Sequence, residues 1–132
     1  MTKHKKYAGT ALVEASLSLL LYTAIIFSLW DAGYLMYLHQ TLTSRAEIAA
    51  RYGALNPTDA TGMQNMVLYG STSGSGTGIF GLTNSNVIAT RAGSGTPADR
   101  VTVTITNFKY LLIAPGISNT GRDISATMPV EN

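Results

Sequence analysis

The stretch YAGTALVEASLSLLLYTAIIFSLW, Tyr7 to Trp30, decides how the chain is organised. From Ala11 to Trp30 it offers twenty residues whose only ionisable side chains are Glu14 and the Tyr22 hydroxyl. A helix rises ~1.5 Å per residue, so this run reaches ~30 Å, the thickness of a hydrocarbon core. Lys3, Lys5 and Lys6 stand ahead of it and orient the N-terminus toward the cytoplasm. An ordinary cleaved signal peptide has a shorter apolar stretch followed by a small-x-small site. Here WDAGYLMYLH follows and continues as helix. An uncleaved signal anchor fits the length and the lysines, but it gives no reason for Glu14.

Cutting the chain after Gly9 supplies one. Thr10 becomes the new N-terminus and Glu14 its fifth residue. A carboxylate costs roughly 2.5–3.5 kcal/mol at the bilayer centre and less near the interface. An α-ammonium one turn away, or on a neighbouring subunit, offsets that cost by pairing. An acid that needs such a partner sets the register of stacked helices. The plainer alternative is that Glu14 snorkels to the cytoplasmic headgroups, ~6 Å away along the helix.

Outward from the run, apolar positions recur at Leu35, Leu38, Leu42, Ala46, Ala49 and Tyr52, close to a helical period. Glu47 and Arg51 stand at i,i+4 on the opposite side. Gly53 and Asn56-Pro57 close the element. One helix is therefore expected from about Thr10 to Leu55, apolar all round in its first half and amphipathic in its second. Ala24, Ser28 and Ala32 share one face at four-residue spacing, as do Ala11 and Ala15, which permits close helix packing.

The remainder reads as a small head. Asp59 or Thr58 caps a short helix from Ala60 to Tyr69, ended by Gly70, with Met63, Met66 and Val67 facing inward. GSTSGSGTGIFG (70–81) is a flexible surface loop by composition. Its literal GxGxxG lacks the preceding strand and following helix that a dinucleotide site requires. Strands are expected at NVIATR (86–91), at VTVTITNFKY (101–110) and at DISATMPV near the end, with AGSGTPAD as a hairpin connection. Three short antiparallel strands do not stand alone, but they can pack on the Leu35–Tyr52 stripe. Phe108 to Ile113 is the most apolar stretch outside the long helix and reads either as core or as a partner-contacting patch.

Charge and motifs exclude several classes. The formal net charge of +2 comes from the leading lysines; from Thr10 onward six basic side chains face seven acidic ones. No basic patch supports nucleic-acid binding. The chain has no cysteine, hence no disulfide or thiolate metal site. The histidines are His4 and His39, and no nucleophile signature, HExxH or P-loop accompanies them. Asp99, Asp123 and Asn119 match no calcium-loop spacing. No cofactor and no metal are expected, and a membrane-tethered enzyme would have to be built on His39.

At Gly9-Thr10-Ala11-Leu12-Val13-Glu14 the chain resembles the leader junction of type IV pilin-like proteins. GTALVEASLSLLL with YLMYLHQTLTSRAEIAARYGA is similar to the TadE/TadG-type pilin-like (pseudopilin) family of tight-adherence, or Flp-type, pili. VTVTITNFKYLLIAPG followed by DISATMPVEN resembles the strand, aromatic loop and closing strand of that family. The resemblance implies cleavage between Gly9 and Thr10 by a prepilin peptidase, and subunit docking through Glu14. It implies other pilin and minor pilin subunits, the inner-membrane assembly platform and membrane lipid as partners. The expected architecture is α+β and pilin-like: leader 1–9, transmembrane and assembly helix 10–30, amphipathic continuation 31–55, and a three-stranded extracytoplasmic head 56–132. The expected function is that of a minor pilin-like structural protein, not an enzyme, in the inner membrane or the pilus. The rival is an uncleaved, signal-anchored binding or adhesion module.

Overall fold

The computed structural model describes residues 5–113 and 120–131. Its first element, α1 (Lys5–Leu55), is a single helix of 51 residues, ~75 Å long. It begins five residues ahead of the expected Thr10 and ends where Asn56-Pro57 predicts. A second helix, α2 (Ala60–Tyr69), follows. Three strands, β1 (Val87–Ala92), β2 (Arg100–Ile105) and β3 (Ile124–Pro129), form an antiparallel sheet in the order β1-β2-β3. The architecture is α+β, a long N-terminal helix with a three-stranded head.

Burial divides α1 sharply. Residues 9–30 are all exposed, and Asp31 is the first buried position. Beyond it Leu38, Leu42, Ala46, Ala49, Ala50 and Ala54 are buried in the head core. Side-chain size falls along this stripe, from leucine to alanine and then to Gly53, because other elements close in. A Cβ on Gly53 would collide with Met63 Sδ of α2 and Val101 Cγ1 of β2. Helix and sheet approach here as closely as backbone allows.

The sheet's inner face follows from strand alternation. Ile105 lies between Val87 and Ile124, and Val103 between Ala89 and Ala126. Val101, Val103 and Ile105 are fully buried. On the outer face Thr102 and Thr127 are cross-strand neighbours, with hydroxyls 2.8 Å apart. β2 stops at Ile105 rather than Tyr110, because Asn107 adopts a left-handed φ of 52° that turns the chain out of the ladder. Asn86 Nδ2 holds that turn by donating to the carbonyls of Thr106 and Asn107.

Polar contacts close the ends of the elements. Asp59 caps α2, accepting from Gly62 N–H at 2.8 Å and from the Tyr52 hydroxyl at 2.6 Å. Gly70 ends α2 in the left-handed conformation. In the β1–β2 connection Arg91 Nε donates to Asp99 Oδ1 at 2.9 Å, and Gly95 N–H donates to Oδ2. The Arg91 guanidinium holds the Asp99 carboxyl below its usual range, and the Tyr52 hydroxyl does the same for Asp59. Glu47 and Arg51 do not close the expected pair; among the described residues the ion pair formed is Arg91–Asp99. The glycine-serine segment is pinned rather than free. Tyr69 hydroxyl donates to Gly76 O at 2.8 Å, Asn65 Nδ2 donates to Thr72 O, and Gly78 is buried.

Two predictions follow from this packing. Gly53→Ala overpacks the junction of α1, α2 and β2 and costs ~1–3 kcal/mol, lowering the thermal midpoint measured by circular dichroism in micelles. Gly33→Ala meets open space on the same helix and causes no such loss. Asp59 and Asp99 also make the head acid-sensitive. Their carboxyls titrate lower in the folded state, so their stabilisation is complete above the unfolded value of ~3.9 and is lost as pH falls through the folded values. Urea midpoints measured from pH 6 to pH 2 should therefore drop most steeply below about pH 4. Asp99→Asn should lower the pH 6 midpoint and flatten that drop.

Candidate membrane and assembly interface

Three hydroxyls in the apolar half of α1 are satisfied within the helix. Ser16 Oγ donates to Val13 O, Thr23 Oγ1 to Leu19 O and Ser28 Oγ to Ala24 O, each at 2.8 Å. Hydroxyls bonded this way present little unmet polarity to lipid. Around them Leu12, Leu20, Ile26 and Trp30 are exposed, and none of this stretch is buried against the rest of the chain. By length and composition it is a candidate membrane anchor.

The sequence-derived site residues lie along this same rod. Gly9 and Thr10 are exposed helical positions, and nothing lies within 4 Å of where a Gly9 Cβ would point. Glu14 is exposed one turn beyond Thr10. Ala24, Ser28 and Ala32 share one face and, with Ile25 and Leu29, line a shallow groove of about 420 Å³. Lys5 and Lys6 belong to the first turn of α1, whereas Lys3 lies outside the described residues. The structure therefore strings these residues along one helix and does not gather them into a cleft.

A second groove, of about 530 Å³, was not singled out by pattern. It is lined by Ile26, Leu29, Trp30, Gly33, Tyr34 and Tyr37, with the side-chain-free Gly33 among bulky neighbours. Tyr37 continues into the head through an edge-on ring contact with Phe80, whose centroid is 5.9 Å away. Phe80 reaches it from a left-handed φ of 54°.

The contact that joins the rod to the rest of the head at this level is Asp31. It is 5% exposed, and its Oδ1 accepts the backbone N–H of Ile113 at 2.9 Å. The two residues are 82 apart in sequence. An acid immediately after a lipid-length run was the available signal, but its partner was not readable. Phe108 itself is core at 4% exposure, whereas Leu111 is 85% exposed, so the core reading holds for the start of the stretch 108–113 and not for Leu111.

His39 is exposed, and its ring lies 3.3 Å from the Thr43 hydroxyl. Asp99 is engaged by Arg91, and Asn119 lies outside the described residues. Among the described residues no group of three His, Asp or Glu side chains could hold a metal ion.

Residues 9–51 match the family model described as TadE-like protein. The matched segment opens at Gly9, covers the apolar run and extends over most of the buried stripe of α1. This segment of the chain is therefore similar to TadE-like proteins. Comparison with curated proteins and with solved structures found no match.

The Asp31 contact is measurable by amide exchange. Losing a hydrogen bond to a charged acceptor costs ~1.5–3 kcal/mol, so Asp31→Ala should speed exchange at the Ile113 amide by about tenfold or more. Exchange within β2 should stay unchanged.

Proposed function

We propose that the protein is a minor, pilin-like structural subunit of a tight-adherence type IV pilus system, processed after Gly9 by a prepilin peptidase. The observation that carries this reading is the placement of Gly9 and Glu14 on a TadE-like segment. They sit five residues apart at the start of an exposed, lipid-length helix whose far half forms the core of a small head. In this reading residues 1–9 are the leader, with Lys3, Lys5 and Lys6 held in the cytoplasm. Residues 10–30 cross the inner membrane and dock against other pilin and minor pilin subunits. Residues 31–55 carry the extracytoplasmic head.

Each residue then has a chemical role. Removal of the leader turns Thr10 into a free ammonium. That charge lies one turn from Glu14, or meets the Glu14 of a neighbouring subunit. Pairing offsets the roughly 2.5–3.5 kcal/mol cost of a carboxylate in lipid and makes correct axial register the lowest-energy arrangement. The groove at Ala24, Ser28 and Ala32 lets a second helix approach closely. No bond chemistry is assigned to the chain itself.

Expression beside an active prepilin peptidase should give a mature chain beginning at Thr10, read by intact mass and N-terminal peptide sequencing. A chain retaining Lys3 to Gly9, while a control substrate is cut, would favour the permanently anchored binding module. Glu14→Ala should still be cut and inserted, yet fail to support pilus assembly in cells. Normal assembly by that variant would remove the docking role from Glu14.

A further inference from the structure

Fully buried core positions on α1 begin at Leu38, seven residues and ~10 Å beyond Asp31 along the helix. Ile113 nevertheless bonds to Asp31, so the segment after β2 runs down past the lower edge of the core. Its five residues from Lys109 to Ile113 can span up to ~17 Å, enough to cover that descent. Helical side chains lean toward the N-terminus, so the Asp31 carboxylate points back toward Trp30, where the apolar run ends. The segment is thereby held at the level where the lipid-length helix leaves the hydrocarbon.

Its composition fits that level. Leu111 is 85% exposed and Ile113 51% exposed, while Lys109 beside them is also exposed. Apolar side chains left this open cost free energy in water and gain it in lipid. Trp30, the residue before Asp31 on α1, is exposed at this height, where an aromatic side chain suits a membrane–water boundary.

We propose that Lys109–Ile113 is a second membrane contact. Leu111 and Ile113 enter the outer-leaflet interface of the bilayer that α1 crosses, and the Asp31 carboxylate holds the segment at that depth. This inference rests on the membrane-inserted reading of α1. A helix alone leaves the head free to swivel about its axis, whereas a second insertion point off the axis fixes rotation and tilt. The head then presents a constant face to a neighbouring subunit before the protein leaves the bilayer.

The absence of cysteine makes the test direct. Single-cysteine variants Leu111→Cys, Leu20→Cys and Ser125→Cys carry an environment-sensitive nitrobenzoxadiazole label. Each full-length protein is reconstituted in phosphatidylethanolamine/phosphatidylglycerol vesicles containing lipids spin-labelled at shallow or deep positions. The label at 111 should be blue-shifted and quenched several-fold more than the label at 125, and more by the shallow spin label than by the deep one. The label at 20 should be quenched most by the deep spin label. Quenching at 20 with position 111 behaving like 125 would place the segment in water and overturn the proposal while leaving the membrane helix intact. No quenching at 20 would overturn both. Disulfide-linked pairs of Leu111→Cys chains, with no lipid quenching at 111, would show that a second copy covers the patch, and that too would overturn it.

Discussion

A backbone that crosses lipid must satisfy its own hydrogen bonds, and that constraint shapes the whole molecule. The chain meets it with helix, and α1 continues without a break past Trp30 and Asp31 into the head. The same element thus exposes an apolar, lipid-length surface at one end and forms the core of a domain at the other. What changes along it is the side-chain pattern, from apolar all round to a single buried stripe.

The head depends on that stripe. A three-stranded sheet and a ten-residue helix have too little apolar surface to close on each other. They close on α1, whose alanines and Gly53 allow the sheet and α2 to approach closely. The contacts that then fix the outline are polar: Asp59 with Tyr52 and Arg91 with Asp99 close in sequence, and the Glu131 N–H donating to the Ala54 carbonyl between distant parts of the chain. The apolar half of α1 and the packed head are consequently one mechanical unit, because a single unbroken helix runs through both.

Much of this was legible in periodicity. The switch from a continuous apolar run to 3.6-residue spacing marked α1, Asp59 and Gly70 bounded α2, and alternation at Val101, Val103 and Ile105 gave β2 its inward face. Features that escaped depend on residues distant in sequence or on single dihedral angles. Asp31 finds Ile113 only once the sheet has folded back along the helix. The left-handed turn at Asn107 ended β2 before an apolar run that looked like its continuation. The glycine-serine segment looked loose by composition, yet Tyr69 and Asn65, projecting from α2, hold its backbone. On the apolar half of α1 the structure places Gly9 and Glu14 as exposed helical positions, as their spacing implied, whereas the Gly33 groove emerged only from the shape of the aromatic side chains around it.

The continuity of α1 through the membrane boundary is the claim on which the rest stands. Spin labels at Leu20→Cys and Glu47→Cys, one on each side of that boundary, measure it by pulsed dipolar spectroscopy in lipid nanodiscs. Both positions are exposed, so the labels leave the core undisturbed. An unbroken helix places the two backbone positions ~40 Å apart, giving one narrow distance distribution near that value. A broad distribution, or one centred well short of it, would mean that the helix breaks near Asp31 and that head and membrane segment move independently.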